Sequence, residues 1–434
     1  MRIKDNIQNI LPSLGKGVVA LYTVIGKTNV EENSTDKATS NKINVGWILL
    51  VTPEFRKAYP IDTTDLEQTV FRFREALRSP NYDPQPLAQE LYKKLFLQTS
   101  DKQKTALATD LETYLGKQQD KTLMWSLDGV LRYVPMSALH DGKQYLVEKY
   151  RNVVFNTASL GSLKDSQKPN WEVVGLGIST EGTVKSSDGR ALRFSALKGS
   201  EQELNLLIKE NDAKDTEGIF RGTLKINNEF TKEALFDGAR TGSPVIHISS
   251  HFYFNPAKEE TSFLLLGNSE KLEMREFQDY PNLFSTVDLL SLSACDTATG
   301  SASVVTEKTD GKESNGKEVE GFAYMAQTLG AKSVMASLWQ VSDLGTRELM
   351  LKFYKIKKEQ PELPKGEALR QAQLSLLRGT SKAKESLIEE KGLIESGKAE
   401  QKVIEGLKPF KKDEKMPFAH PYYWSSFILI GNWR

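Results

Sequence analysis

The feature of this sequence that most constrains its fold is an alternation of short apolar strands with amphipathic helices, which begins at about residue 171. Each strand is a run of mostly apolar residues, and the predicted strands cover residues 171–179, 243–251, 284–295, 332–341 and 420–433. Each helix carries its apolar residues on one face, and the predicted helices cover residues 196–211, 319–331 and 345–360. Apolar strands separated by helices are typical of a mostly parallel sheet with helices on both faces. The sequence therefore predicts an α/β fold.

The first part of the chain has its own pattern of strands and helices. Two β-branched strands, over residues 17–25 and 44–53, flank a polar stretch, which predicts a hairpin with a long exposed tip. Helical spacing follows over residues 63–118. Residues 122–139 are predicted to form a strand, a turn at Asp128–Gly129 and a second strand.

The composition excludes several classes of function. Lys and Arg number 58 and Asp and Glu 57, so the net charge of +1 gives no reason to expect nucleic acid or a membrane surface as a partner. No apolar run is long enough to span a membrane, and we expect no signal peptide. The one cysteine, Cys295, excludes an intrachain disulfide, so we expect a reducing, cytoplasmic compartment. One Cys and four His form no zinc-ligand spacing, and we expect no metal or cofactor.

Two chemically active residues fall at the ends of predicted strands. His251 ends the strand VIHISSH, and Cys295 ends LLSLSAC before the turn-forming residues DTATG. Active sites of parallel sheets gather at the carboxyl ends of the strands, so His251 and Cys295 share one crevice if their strands are neighbours. A thiol reacts as the thiolate, and a nearby imidazole can accept its proton. The pattern indicates Cys295 as a nucleophile and His251 as its base.

Two alternatives stay open on the residues alone. A lone cysteine is more often a buried, inert side chain than a nucleophile. His247 points to the same face of the strand as His251 and is the other candidate base. It lies further inside the strand, which favours packing or a supporting hydrogen bond.

Four segments in this order resemble the CHAT domain, whose members are caspase-fold relatives of separase. They read VIHISSH, LLSLSACDTATG, GFAYMAQTLGAKSVMASLWQVSDLGTRELMLKFY and HPYYWSSFILIG. The resemblance implies a caspase-like fold and a cysteine endopeptidase that works through an acyl-thioester intermediate. It matches the second His of the family's His-x-x-x-His strand to His251 and the catalytic Cys to Cys295. The family usually has Gly after that His, and this chain has Phe252, so the backbone geometry and one oxyanion donor depart from the pattern.

The resemblance also implies a preference for substrates with a basic residue before the cleaved bond. Separase-like enzymes hold that residue in an acidic pocket, and Asp343 matches the position of such an acid. Asp296, beside the nucleophile, is the other candidate, since a carboxylate pairs well with Arg or Lys. The alternative for Asp343 is a helix N-cap or first-turn acid.

The resemblance runs from about residue 15 to residue 434, but the pattern of strands and helices changes near residue 171. We therefore expect an N-terminal α/β region, residues 1–165, and a caspase-like CHAT protease domain, residues 166–434. The N-terminal region is either a separate layer or a degenerate caspase-like half. Residues 300–318 are a polar loop, which is either an insertion or an activation loop cut after a Lys. Residues 380–416 are charged and predict an exposed helix or helical hairpin.

Three functions follow from these patterns. The first is an endopeptidase with a protein substrate and a regulatory protein partner. The second is a catalytically silent scaffold that binds a protein partner; the presence of both His251 and Cys295 argues for the first, and Phe252 leaves this second function open. The third is a Cys-dependent acyl transfer on a non-protein substrate.

Overall fold

The computed structural model of the chain describes most of its 434 residues. The described ranges are 7–30, 41–100, 104–186, 189, 191–209, 218–255, 258–293, 317–339, 343–380 and 406–434. Within them, the side chains at 27–30, 41–44, 317–320 and 343 are outside the description.

The strands of the described part are numbered in chain order. They are β1 Val18–Val30, β2 Asn41–Val51, β3 Arg56–Pro60, β4 Thr122–Ser126, β5 Arg151–Val154, β6 Val173–Gly177, β7 Gly182–Lys185, β8 Ala191–Phe194, β9 Ile208–Lys209, β10 Phe220–Ile226, β11 Val245–Ser249, β12 Phe252–Tyr253, β13 Phe263–Leu265, β14 Lys271–Glu273, β15 Leu289–Leu292, β16 Ser333–Ser337 and β17 Phe427–Gly431.

The helices are numbered in the same way. They are α1 Ile7–Leu14, α2 Leu66–Leu77, α3 Gln85–Phe96, α4 Leu107–Leu115, α5 Leu146–Lys149, α6 Lys198–Leu207, α7 Lys232–Arg240, α8 Met274–Phe277, α9 Lys317–Thr328, α10 Asp343–Glu359, α11 Lys365–Leu377 and α12 Pro421–Trp424. Within the described part of the chain, no helix combines the length and apolar composition that crossing a bilayer requires.

One large sheet organises the molecule. Its strands lie in the order β3-β2-β1-β4-β5-β17-β16-β15-β11-β6-β10-β9. Neighbours from β16 to β9 run parallel, as do β1, β4, β5 and β17, whereas β2 is antiparallel to β1 and β3, and β16 to β17. A small antiparallel sheet, β12-β13-β14, follows the carboxyl end of β11. The predicted mostly parallel sheet is confirmed.

Helices lie on both faces of this sheet, as the sequence predicts. On β6, a Cβ at Gly175 would meet Leu204 of α6, whereas Val174 packs against Gly238 of α7. Successive residues of a strand point to opposite faces, so α6 and α7 cover opposite faces. Two faces covered by helices explain why every residue of the central strands β6, β11, β15 and β16 is buried.

The predicted N-terminal hairpin is confirmed, because β1 and β2 pair antiparallel from Ala20 with Val51 to Val30 with Asn41. The second strand predicted after residue 126 is wrong. There the chain forms a 3₁₀ helix over Gly129–Tyr133, and Gly129 has a φ of 54°, which favours glycine. The carboxylate of Asp128 accepts a hydrogen bond from the Ile25 N–H at 3.0 Å. This bond ties the turn to β1 and directs the chain out of the sheet.

The two sides of the predicted boundary at residue 165 contribute to the same sheet. β5 pairs in parallel with β17 through Val154 and Ile430. The buried Arg151 of β5 also forms an ion pair with Glu367 of α11 at 3.1 Å. The division into residues 1–165 and 166–434 remains a prediction.

The end of the chain docks on the N-terminal part through His420. Residues 420–425 were predicted as part of a strand, but α12 occupies Pro421–Trp424, and the strand begins only at Phe427. The His420 ring accepts the Tyr422 N–H through Nδ1 at 2.9 Å and donates from Nε2 to the Tyr82 carbonyl at 2.7 Å. Both ring nitrogens are therefore used by a neutral, buried imidazole.

This buried imidazole predicts a pH-dependent stability. Burial lowers the pKa of His420 from its ordinary value to about 4. Between pH 6.5 and 4 the unfolded chain binds a proton at this site that the folded chain does not, so stability is lost as the pH falls. We expect the free energy of unfolding to drop by about 3 kcal/mol over this window, and His420→Asn, which keeps an N-cap acceptor, to flatten the drop. Urea denaturation from pH 4.5 to 7 measures this; equal pH slopes for both proteins would contradict it.

Candidate active site

His251 lies at the corner where the chain leaves the large sheet for the small one. It lies two residues after the end of β11 and directly before β12. Its carbonyl accepts the Leu265 N–H at 2.8 Å, and the neighbouring Ser250 hydroxyl donates to the Leu265 carbonyl at 2.5 Å. The side chain is almost fully buried, with 7% of its surface exposed. His251 is thus held at the carboxyl end of a central parallel strand.

The hydrogen bond of the His251 ring determines where its proton lies. Nε2 is 2.8 Å from the Ser195 carbonyl oxygen, and the ring centroid is 5.2 Å from that of Phe194. A carbonyl oxygen can only accept, so Nε2 carries the hydrogen, and in the neutral ring the lone pair is on Nδ1. A neutral His251 therefore accepts a proton at Nδ1, and the Ser195 carbonyl stabilises the imidazolium that results.

The strands that precede His251 and Cys295 are neighbours, as the one-crevice interpretation requires. β11 and β15 run parallel, and their register pairs His247 with Ser291 and Ile248 with Leu292, positions 44 apart in the sequence. His251 and Cys295 are also 44 positions apart. The pairing extends to Ser293, whose N–H donates to the Ile248 carbonyl at 2.8 Å. Cys295 and Asp296 lie outside the described residues.

The other predicted features are described only in part. Asp343 is the first residue of α10, and its side chain is outside the description. Of the loop 300–318, residues 300–316 are outside the description, and α9 begins at Lys317. Of the segment 380–416, residues 381–405 are outside it.

Phe252, at the position where the family usually has Gly, is a regular strand residue. It pairs with Leu264 in the antiparallel β12–β13 ladder, and its backbone is extended. Its buried ring contacts Phe322 of α9 edge-on, with centroids 5.2 Å apart. In an antiparallel ladder, hydrogen-bonded pairs alternate with pairs that are not hydrogen-bonded. His251 and Leu265 are a hydrogen-bonded pair, so the next residue, Phe252, points its N–H away from β13. This backbone conformation does not require glycine.

His247 makes supporting hydrogen bonds on the face covered by α6 and α10. Its ring is fully buried, with Nε2 3.0 Å from Glu203 Oε1 and Nδ1 2.9 Å from the Tyr354 hydroxyl. Burial raises the pKa of the Tyr354 phenol, so it stays neutral. With hydrogen bonds at both nitrogens, His247 has the supporting position that the sequence favoured.

Sequence reasoning missed Glu203 and Tyr354. Glu203 is buried on the apolar face of α6 with Leu204 and Leu207. A charged residue within an apolar helical stripe was the signal that could have identified it, because buried carboxylates require partners. Among the described residues, no three His, Cys, Asp or Glu side chains group as ligands for a metal ion.

A model of the CHAT domain matches residues 85–432. This match covers most of the chain, so the chain belongs to the CHAT domain family, and the resemblance seen in its motifs is confirmed. No curated protein sequence matches the chain.

The solved structures to which the chain is similar include a gingipain and a separase complex. One is the Arg-specific cysteine proteinase gingipain R of Porphyromonas gingivalis, which is 11% identical with a TM-score of 0.39, over 85% of this chain and 74% of the other. The other is the separase–securin complex of Saccharomyces cerevisiae, which is 11% identical with a TM-score of 0.44, over 98% of this chain and 31% of the other.

The buried ring of Phe252 predicts a large loss of stability on truncation. Phe252→Ala removes the contact with Phe322 and leaves a cavity, so we expect the free energy of unfolding to fall by about 3–5 kcal/mol. Tyr324 on the same helix is 48% exposed, and Tyr324→Ala is expected to change stability by about 0.5 kcal/mol or less. Chemical denaturation of the two variants measures the difference, and similar losses in both would refute this role of Phe252.

Proposed function

We propose that this chain is a cysteine endopeptidase in which Cys295 is the nucleophile and His251 the general base. The observation that carries the proposal is the register of β11 and β15. It pairs residues 44 positions apart, which is the separation of His251 from Cys295. Both residues follow the carboxyl ends of adjacent parallel strands, where active sites of such sheets form. Membership of the CHAT domain family supports the same assignment.

The proton position on His251 suggests the course of the reaction. The Cys295 thiol gives its proton to Nδ1, and the thiolate attacks the peptide carbonyl carbon. The tetrahedral oxyanion collapses and breaks the C–N bond, and the imidazolium returns the proton to the departing amine. Water, deprotonated by the same Nδ1, then attacks the thioester carbonyl; the C–S bond breaks, the carboxylic acid product leaves, and the imidazolium returns its proton to the Cys295 thiolate. The Phe252 N–H, which is not used in the β13 ladder, is a candidate oxyanion donor.

Substrate preference and setting belong to the proposal as well. Asp343 and Asp296 are the candidate acids for a basic residue before the cleaved bond. The substrate is a protein, and a regulatory protein partner controls access to it. A reducing cytoplasm would keep the single thiol active.

A peptide panel tests the proposal. We expect turnover of fluorogenic peptides that end in Arg or Lys and slower turnover of the matched peptides that end in Gln. Cys295→Ala abolishes turnover, and His251→Ala lowers kcat/KM by about 10²–10⁴-fold, because the general base is lost. Folding of each variant is checked by its melting temperature. A folded wild-type chain that cleaves no peptide would favour the silent scaffold instead.

Processing of the loop 300–318 is tested separately. If the enzyme cuts this loop after Lys308, Lys312 or Lys317, intact-mass analysis of the wild-type chain gives fragments, and Cys295→Ala stays whole. Replacing all three lysines by Gln in an otherwise active chain is expected to prevent the cut. An active wild-type chain that remains uncut would leave the loop as an insertion.

A further inference from the structure

Ser293 is the described residue nearest to Cys295 in sequence, and a side-chain hydrogen bond fixes it. It follows β15 and is almost fully buried, with 6% of its surface exposed. Its hydroxyl donates to Glu203 Oε2 at 3.1 Å, while its N–H donates to the Ile248 carbonyl at 2.8 Å. Ser293 is therefore held both to the neighbouring strand and to a helix on the face of the sheet.

Glu203 connects this hydroxyl to the interior of the fold. Its two carboxylate oxygens have different partners: Oε2 accepts from Ser293, and Oε1 lies 3.0 Å from His247 Nε2. His247 in turn lies 2.9 Å from the Tyr354 hydroxyl through Nδ1. Each of these three hydrogen bonds has one donor and one acceptor when Glu203 is a carboxylate, His247 carries its hydrogen on Nε2, and Tyr354 donates to His247 Nδ1. A buried carboxylate with two donors is a rigid anchor, because leaving either donor unpaired is costly.

We propose that Ser293 and Glu203 are positioning residues, which fix the strand end before Cys295 so that its thiol faces His251 Nδ1. This inference rests on the proposed function, since it assigns the role of positioning to residues behind the dyad. His247 belongs to the same anchor, and it joins the strand that bears the base to the strand that bears the nucleophile.

The position of Ser293 in the sequence explains how its hydroxyl could affect the placement of the Cys295 thiol. Cys295 is two residues further along the chain, past the last pair of the β11–β15 ladder. At Ser293, the last described residue before Cys295, the side-chain hydrogen bond to Glu203 adds a restraint to that of the backbone pairing. Proton transfer and attack need the reacting atoms within about 3–3.5 Å, and a misplacement of about 1 Å costs on the order of 10²-fold in rate.

The thiol itself reports the positioning, because Cys295 is the only cysteine in the chain. The rate of its alkylation by iodoacetamide, followed by intact mass across pH, gives the pH at which the thiolate forms. In the wild-type chain this midpoint should lie below the ordinary value of about 8.5, and His251→Ala should return it there. We expect Ser293→Ala to raise the midpoint as well and to lower kcat by about 10- to 100-fold, with a smaller effect on KM. Ser293→Thr, which keeps the hydroxyl, recovers most of the loss.

Glu203→Gln distinguishes positioning from electrostatics. Gln offers only one acceptor oxygen for two donors, so it breaks one arm of the anchor at nearly constant volume. Removing a negative charge by itself favours a nearby thiolate and lowers the midpoint. If positioning is lost, the pH at which the Cys295 thiolate forms rises in Glu203→Gln, which supports the proposal. If that pH falls, only the charge has acted, which contradicts the proposal.

The control is Ser333→Ala. Ser333 begins β16, and its buried hydroxyl donates to the Asp288 carbonyl. It is expected to leave the midpoint unchanged, and melting temperatures verify that all variants fold.

If the wild-type midpoint is ordinary and His251→Ala does not shift it, the proposed function fails, and the positioning role fails with it. If the midpoint depends on His251 but is unchanged in Ser293→Ala, only the positioning role is overturned.

Discussion

The parallel pairing of β11 with β15 is the constraint on which the candidate site depends. Two adjacent parallel strands end at the same edge of a sheet, so whatever follows them is brought together by backbone hydrogen bonds. The register sets the offset at 44 positions, which relates His251 to Cys295. A slip of one residue would turn the side chains of the strand to the other face, and helices on both faces prevent it.

The two histidines of β11 and its extension differ because the chain turns between them. His247 sits within the strand, where Glu203 and Tyr354 occupy both of its nitrogens. After Ser249 the chain enters the small sheet, and the His251 ring donates from Nε2 to the Ser195 carbonyl. The same residue type is thus a structural link at one position and, at the other, the candidate base with its hydrogen fixed on Nε2.

Much of the sheet could be predicted from sequence, because buried parallel strands such as β6, β11, β15 and β16 are mostly apolar runs. The 3₁₀ helix at Gly129 could not, since the Ile25 N–H that holds Asp128 is distant in sequence. The acceptor of the His251 proton was also invisible, because it is a backbone carbonyl, and no side chain reveals it. Glu203 was detectable as a charge in an apolar stripe, but its partners depend on tertiary packing.

Covalent labelling tests the central claim, the Cys295–His251 dyad, most directly. An Arg-ended peptide carrying an acyloxymethyl ketone is incubated with the chain, and the adduct is located by intact mass and peptide mapping. The account predicts one adduct, on Cys295, which forms rapidly in the wild-type chain and slowly in His251→Ala, because the imidazole generates the thiolate. Equal labelling rates in the two proteins, or no adduct on Cys295 in a folded wild-type chain, would contradict the dyad.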